Sequence, residues 1–384
     1  MRLAASIADL RSMTEKAIPK ALFEYVSGGS YEQITLRANK AALDAIALRQ
    51  RVLVDVSERS LAATMLGRRV SCPIALAPTG LSGLVHSDGE IHACRAAQAA
   101  GIPYTLSTVS ICSLEDVAAA VDAPFWFQLY VMQDRDFTKS LIERAAAVGC
   151  DTLVMTVDLQ VQGQRYSDIR NGMSVPPRLT PGNALDIMLK PRWALGVLCG
   201  KRKNFGNLAG RVAGVEGVRS MAEWTARQYD PTVNWRDVSW VRSLWKGNLV
   251  LKGILDPEDA RRAAELDIQG LIVSNHGGRQ LDGAVSSAAA LPEIVAAVGD
   301  KVEVFVDGGV TTGMDVLKYL ALGARGVFIG RAFLYGLGAG GAAGVARAIA
   351  ILRDELSVGM ALTGRAAIAE IDPGVLAGDC SIVD

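Results

Sequence analysis

Eight apolar runs of strand length, each closed by polar residues or glycine, punctuate the chain. They are PIALAPTG (73–80), YTLST (104–108), FWFQLYV (125–131), TLVMTVD (152–158), LVLKGI (249–254), GLIVSN (270–275), EVFVDGGV (303–310) and GVFIGRA (326–332). Continuous Val/Ile/Leu runs, rather than an apolar–polar alternation, suit parallel strands covered on both faces. Between them lie the helical patterns GEIHACRAAQAAG, SLEDVAAAV, FTKSLIERAAAVG, DPEDARRAAELD and MDVLKYLALGA. Several open on a capping residue such as Ser113 or Asp256 and stop at a glycine. Strands alternating with helices eight times over predict an α/β fold, a (β/α)8 TIM barrel. One connection breaks the rhythm: after Asp158 and before the fifth strand comes a long insertion, placed at 175–240, that contains Trp193, Trp224 and Trp235. Residues 1–65 read as a helical arm and 66–384 as the barrel, so that 1–384 forms a single domain.

Composition changes this picture little. The chain has 384 residues, 50% of them apolar and 21% charged, with 40 Lys+Arg against 40 Asp+Glu. That describes an ordinary folded protein with a sizeable core. Without a basic excess, no nucleic-acid partner is expected. The six cysteines, at 72, 94, 112, 150, 199 and 380, form no C-x-x-C pair and read as reduced packing thiols. The N-terminal stretch MRLAASIADLRSMTEKAIP carries Asp9 and Glu15 and no long apolar segment, so no signal peptide is expected. No uncharged apolar run approaches the ~20 residues that a membrane span needs.

In a barrel of this kind the chemistry gathers at the C-terminal ends of the strands. Those ends carry Thr79 and Gly80, Ser107, Gln128 and Tyr130, Thr156 and Asp158, Lys252, Ser274 with His276 and Arg279, Asp307 to Gly309, and Gly330 with Arg331. The stretch LIVSNHGGRQLDG (271–283) is the densest of them. A histidine after a strand is commonly a structural hydrogen-bonder. Here Gly277 and Gly278 remove side chains from beside His276, and Asp158 at another strand end can pair with its imidazole. Lys252 is either a snorkelling surface lysine or, because it stands inside an apolar run, a buried one that needs an anionic partner. The DGG and GR segments after strands seven and eight match a phosphate corner, where backbone N–H groups and an arginine receive an anion. His86 and His92 are given no role.

Taken together, SNHGGRQLD, FQLY, TVD, LKGI, DGGV and GRAFLYGL resemble the FMN-dependent L-2-hydroxy acid dehydrogenase family, which includes glycolate oxidase, flavocytochrome lactate dehydrogenases and mandelate dehydrogenase. The likeness runs from EYVSGG to MALTG, nearly the whole chain. LSTVSICSLEDVA, WFQLYV, KPRWA and VLKGILDPEDA bring it nearest to the bacterial respiratory L-lactate dehydrogenase branch. The resemblance implies FMN as cofactor and His276 as the base that takes a proton from the substrate, a role that both a carbanion and a hydride route require. It implies that Asp158 orients His276 and stabilises the imidazolium. Arg279 and Arg165 would hold the substrate carboxylate in planar forks, with Tyr25 adding a hydrogen bond there and Tyr130 one at the 2-hydroxyl. Lys252 would sit at flavin N1–O2, where reduction places negative charge. Gln128, Thr156 and Ser107 would bond the polar edge of the flavin ring, and Pro78, Thr79 and Gly80 would lie along one face. Ser274, Asp307, Gly308, Gly309, Thr311, Gly330 and Arg331 would hold ribityl and phosphate.

Three positions depart from the family pattern. Thr311 stands where members usually carry arginine, Val109 where glycolate oxidases carry tryptophan, and Gln160 and Gln162 where apolar residues or proline are usual. The resemblance thus implies one cationic phosphate contact fewer, more room above the substrate and a polar pocket mouth. Gly80 matches mandelate dehydrogenase, where oxidases tend to carry alanine. The implied function is oxidation of an L-2-hydroxy acid, first of all L-lactate to pyruvate, with electrons passed to a quinone or similar acceptor rather than to oxygen. Mandelate and glycolate are the alternative substrates. An FMN barrel isomerase acting on a diphosphate would share the phosphate corner but would not need His276, Arg279 and Arg165. The expected setting is cytoplasmic, as a homo-oligomer (a homotetramer), with peripheral contact to the inner face of the cell membrane through 185–205.

Overall fold

The computed structural model describes residues 4–173, 180–210 and 217–378. Each of the eight apolar runs contains a strand: β1 Ile74–Leu76, β2 Thr105–Ser107, β3 Trp126–Leu129, β4 Thr152–Thr156, β5 Asn248–Ile254, β6 Gly270–Val273, β7 Glu303–Asp307 and β8 Gly326–Ile329. They pair in parallel in the order β1-β8-β7-β6-β5-β4-β3-β2, and a parallel bridge from Leu76 to Tyr104 brings the two edges together as a barrel. The strands are buried on both faces because helices cover the outside and side chains fill the inside. Trp126, Phe305 and Phe328 meet edge-on or tilted inside the barrel, with ring centroids 5.7–6.5 Å apart. A short antiparallel hairpin, Ala63–Met65 with Arg68–Val70, plugs the N-terminal end by adding Met65 and Val70 to that interior cluster. The C-terminal end of the barrel is left open.

The five helical patterns appear as Gly89–Ala99, Leu114–Ala118, Arg135–Ala147, Pro257–Ala264 and Gly313–Ala321. The Ser113 side chain accepts from the Asp116 N–H, and the Asp256 side chain from those of Glu258 and Asp259, as cap residues do. Two covering helices escaped the pattern. Ser287–Val298 is alanine-rich and contains Pro292. Arg331–Leu362 is broken at Gly340–Gly341 and buried along much of its length, so it shows no single apolar stripe. The latter is long and apolar enough to cross a membrane, yet it packs against the helices Ile7–Ala17, Gly89–Ala99 and Gly313–Ala321 as a core element.

The arm forms three helices, Ile7–Ala17, Lys20–Ser27 and Ile34–Ala45. The region between β4 and β5 contains the helices Pro181–Met188, Pro191–Leu198, Gly217–Gln228 and Trp235–Leu244. It is stitched to the barrel mouth where buried Asn207 donates to the carbonyls of Ser107 and Thr108 and accepts from the Leu114 N–H. Cys72, Cys94, Cys112 and Cys150 are buried free thiols and Cys199 is an exposed one; Cys380 lies outside the described residues.

Candidate active site

A cavity of about 390 Å³ opens at the C-terminal ends of the strands, floored by Ala77 and Phe328. Its walls bring together Tyr25, Pro78, Thr79, Gly80, Tyr130, Arg165, Lys252, His276, Arg279, Asp307, Gly308, Gly309, Thr311, Gly330 and Arg331. Ser107, Gln128, Thr156 and Ser274 are buried at strand ends behind this wall, and Asp158 stands with them. The ends of all eight strands and the three arm helices thus converge on one space.

The loop after β6 is bent by three successive left-handed residues, His276, Gly277 and Gly278, with φ of 58°, 64° and 72°. That conformation disfavours a side chain, and His276 adopts it with its N–H donated to Ser274 Oγ at 3.0 Å. The turn carries the imidazole across to β4, where Nδ1 meets Asp158 Oδ1 at 2.8 Å. With Nδ1 engaged by a carboxylate, Nε2 is the nitrogen left for the cavity. A side chain on Gly253 would collide with Asp158, since its Cβ would lie 2.7 Å from Asp158 Cβ and Cγ, so this glycine admits the carboxylate. Burial pulls the Asp158 carboxyl upward, but the His276 and Lys252 charges and the hydrogen bond outweigh it and hold the group below its ordinary value. Asp158 is therefore ionised beside His276.

Lys252 resolves in favour of the buried reading: it is 4% exposed, with Nζ 3.2 Å from Asp307 Oδ2 and 2.9 Å from Ser274 Oγ. Desolvation opposes its charge, yet Asp307 and Asp158 raise its pKa above the ordinary lysine value. Ser274 is a brace between Lys252 and His276: its Oγ accepts from Lys252 Nζ and from the His276 N–H, which leaves its hydroxyl proton to donate.

In the same cavity, Arg279 and Arg165 flank the Tyr25 ring at 4.9 and 5.5 Å. Arg165 donates from Nε to Asp168 Oδ2 at 2.5 Å. Arg279 donates only to carbonyls, those of Tyr25 (2.7 Å) and Gly28 (3.0 Å), and among the described residues no carboxylate lies within ion-pair distance. Desolvation and the Arg165 charge push Arg279 down to about 10. A bound anion relieves this uncompensated charge. Burial and the neighbouring Tyr229 raise the Tyr130 phenol well above its ordinary value, so it remains a hydroxyl donor.

Tyr229 is a site residue that sequence reading missed. It follows the helix Gly217–Gln228, bridges back to Met132 and sets its ring edge-on to Tyr130 at 5.8 Å. Burial pushes its phenol up to about 12. No local motif in RQYDP announces this, because only the return path of the insertion delivers it.

The donor set fits a flavin nucleotide. Gln128 Oε1 is held by Ser107 Oγ and the Thr108 N–H, which leaves buried Nε2 with no partner among the described residues and a donor to offer. Buried Arg331 Nε is likewise unpartnered, while its Nη2 is anchored on the Gly28 and Gly277 carbonyls. Gly277 leaves room for this arginine, since a Cβ there would lie 2.8 Å from Arg331 Nη1. Thr311 behaves differently from its expected phosphate role: its N–H and hydroxyl both donate to Asp315 Oδ2, at 2.9 and 3.1 Å. His86 and His92 pack edge-on to each other 5.1 Å apart, outside the cavity lining.

The family model for FMN-dependent dehydrogenases matches residues 14–378. An L-lactate dehydrogenase of Caulobacter vibrioides is 48% identical over 376 residues, covering 98% of each chain. One from Ectopseudomonas mendocina is 47% identical over 369 residues, covering 96% of this chain and 97% of the relative. Among solved structures, a monotopic membrane protein, (S)-mandelate dehydrogenase, superposes with a TM-score of 0.94 at 36% identity, over 99% of this chain and 100% of that one.

Proposed function

The chain belongs to the FMN-dependent dehydrogenase family, and on that premise we propose that it oxidises an L-2-hydroxy acid, L-lactate before others, to the corresponding 2-oxo acid, pyruvate. The observation that carries this reading is the Asp158–His276 pair facing a cavity that also presents Arg279, a guanidinium without a carboxylate partner among the described residues. A base and an anion receptor in one cavity suit a small molecule bearing a carboxylate next to the carbon that reacts. Arg279 and Arg165 bind the carboxylate, and Tyr25 and Tyr130 orient the substrate through their hydroxyls. His276 takes a proton at Nε2, and Asp158 stabilises the resulting imidazolium. Lys252 keeps a positive charge at the pole of the site where electron density arrives. When bound, FMN supplies the two-electron acceptor for the reaction; Gln128, Gly309, Gly330 and Arg331 are the residues that hold it.

Electrons leave, on this reading, to a membrane quinone or similar carrier. The helices Pro181–Met188 and Pro191–Leu198 expose Leu185, Met188, Leu189 and Leu195 at 57–69% of their surface, beside exposed Arg192, Lys201 and Lys203. An apolar stripe flanked by cations suits the interface of an anionic leaflet, on the cytoplasmic side. Trp193 ties this pair to the body of the protein through the Leu84 carbonyl at 2.7 Å.

(S)-Mandelate is the second reading, favoured by the mandelate dehydrogenase likeness and by Val109, which lines the cavity where a bulkier residue would narrow it. Anaerobic mixing of the holoenzyme with L-lactate, glycolate and (S)-mandelate tests both. L-Lactate is expected to bleach the flavin fastest. Fastest bleaching by mandelate selects the second reading, and no bleaching by any 2-hydroxy acid overturns the function.

A further inference from the structure

We propose that Lys40 is the second phosphate-binding cation of this cofactor site, filling the electrostatic role that Thr311 cannot, by turning its ammonium from Asp44 to the FMN phosphate. The inference rests on the FMN reading above. A flavin phosphate carries about 1.5 to 2 negative charges near neutral pH. Arg331 meets it with Nη2 already anchored on two carbonyls. On the other side of the glycine turn, both donors of Thr311 and the N–H of Thr312 go to Asp315 Oδ2. That wall therefore offers no cation from the turn itself.

Lys40 supplies one from the arm. It lines the same cavity as Gly308, Gly309, Thr311 and Arg331. The helix that bears it, Ile34–Ala45, lies directly on the turn: a Cβ on Gly309 would stand 2.6 Å from the Asn39 carbonyl oxygen. Lys40 Nζ is 3.2 Å from Asp315 Oδ1 and also contacts Asp44, one helical turn onward. Asp44 is 60% exposed and holds the ammonium weakly, as solvated pairs do. Asp315 accepts three hydrogen bonds from Thr311 and Thr312 at Oδ2, so it stays anchored when Lys40 leaves Oδ1. Partial burial disfavours the charged lysine, but Asp44 and Asp315 more than offset it, so Lys40 enters the site as a cation. The neighbouring Lys318 is no substitute, because its ammonium donates to the Leu43 carbonyl and lies outside the cavity lining.

Riboflavin, which lacks the phosphate, separates this role from simple packing. Full-length apoprotein is titrated with FMN and with riboflavin by flavin fluorescence, for the native chain, Lys40→Met, Asp44→Asn and Lys40→Met/Thr311→Arg. Lys40→Met is expected to weaken FMN about 10- to 100-fold, as loss of one charge-assisted bond does, with riboflavin affinity unchanged. Asp44→Asn, which frees the ammonium, is expected to tighten FMN, and the added arginine to recover part of the loss. Native FMN affinity in Lys40→Met overturns the proposal, as does equal weakening of FMN and riboflavin. A native chain that binds neither flavin overturns the cofactor reading, and this proposal with it.

Discussion

Asp158→Asn isolates the electrostatic half of the proposed base. The amide keeps the shape of the carboxylate, which matters because Asp158 fits against Gly253 with no space to spare. What it removes is the negative charge whose oxygen lies 2.8 Å from His276 Nδ1. When His276 takes the substrate proton, an imidazolium forms with its charge centre roughly 4 Å from that carboxylate. At the effective dielectric of about 20 that suits protein sites, such a pair is worth about 4 kcal/mol. Since about 1.4 kcal/mol is a factor of ten, the flavin reduction rate should fall on the order of 10³-fold. An asparagine amide donating to Nδ1 also places the imidazole proton on Nε2, the wrong tautomer for a base, and so deepens the loss. Stopped-flow reduction by L-lactate under anaerobic conditions reads the rate, and the oxidised flavin spectrum verifies that FMN is retained. A variant with bound FMN that reduces within about tenfold of the native rate would refute the stabilising role of Asp158.

The same carboxylate governs stability in acid. Asp158 is held below its ordinary value of 3.8, so the folded state binds its proton less readily than the unfolded state, and the stabilisation is present above that value and lost as pH falls through the folded pKa. Urea melts across this range should decline more steeply for the native protein than for Asp158→Asn; parallel curves would count against the assignment. Lys252→Met should lower the flavin midpoint potential by about 20–65 mV, equivalent to ~1–3 kcal/mol for two electrons, measured by dye equilibration. An unchanged potential would separate Lys252 from the reducible pole. Replacing Leu185, Met188, Leu189 and Leu195 together by Gln should release the protein from anionic vesicles with the flavin spectrum intact, and equal vesicle binding would rule the stripe out as an anchor. Reduced enzyme should be reoxidised faster by a soluble quinone than by dioxygen; the reverse order would make it an oxidase.

The barrel was legible because its strands are buried on both faces, and eight uninterrupted Val/Ile/Leu runs leave little else to build. The pairing of His276 with Asp158 was legible for a related reason: strand ends in this fold all point to one mouth, so residues 118 positions apart are neighbours by architecture. Long-range docking was not legible. Nothing around Tyr229 or Lys40 marks either as a cavity residue, since one arrives by the return of the insertion and the other on an arm helix pressed against Gly309. Hydrogen-bond commitments were equally hidden. Ser274 and Thr311 sit where phosphate or ribityl contacts are expected, yet Ser274 Oγ already accepts from Lys252 and His276, and the N–H and hydroxyl of Thr311 donate to Asp315. Sequence names the chemical groups at a strand end but not which neighbour claims them first.

The left-handed turn at His276–Gly278 has a consequence for the order in which this protein matures. Three such residues in a row are unfavourable in isolation, and the bonds that hold them come from far away. The Gly278 carbonyl accepts from the Ser30 N–H at 2.9 Å, the Gly277 carbonyl from Arg331, and the Arg279 guanidinium rests on carbonyls of Tyr25 and Gly28. The turn is therefore expected to order only once the first thirty-odd residues lie across the mouth. On refolding, flavin reduction should return after barrel secondary structure, and a protease that clips the amino-terminal segment should abolish it first.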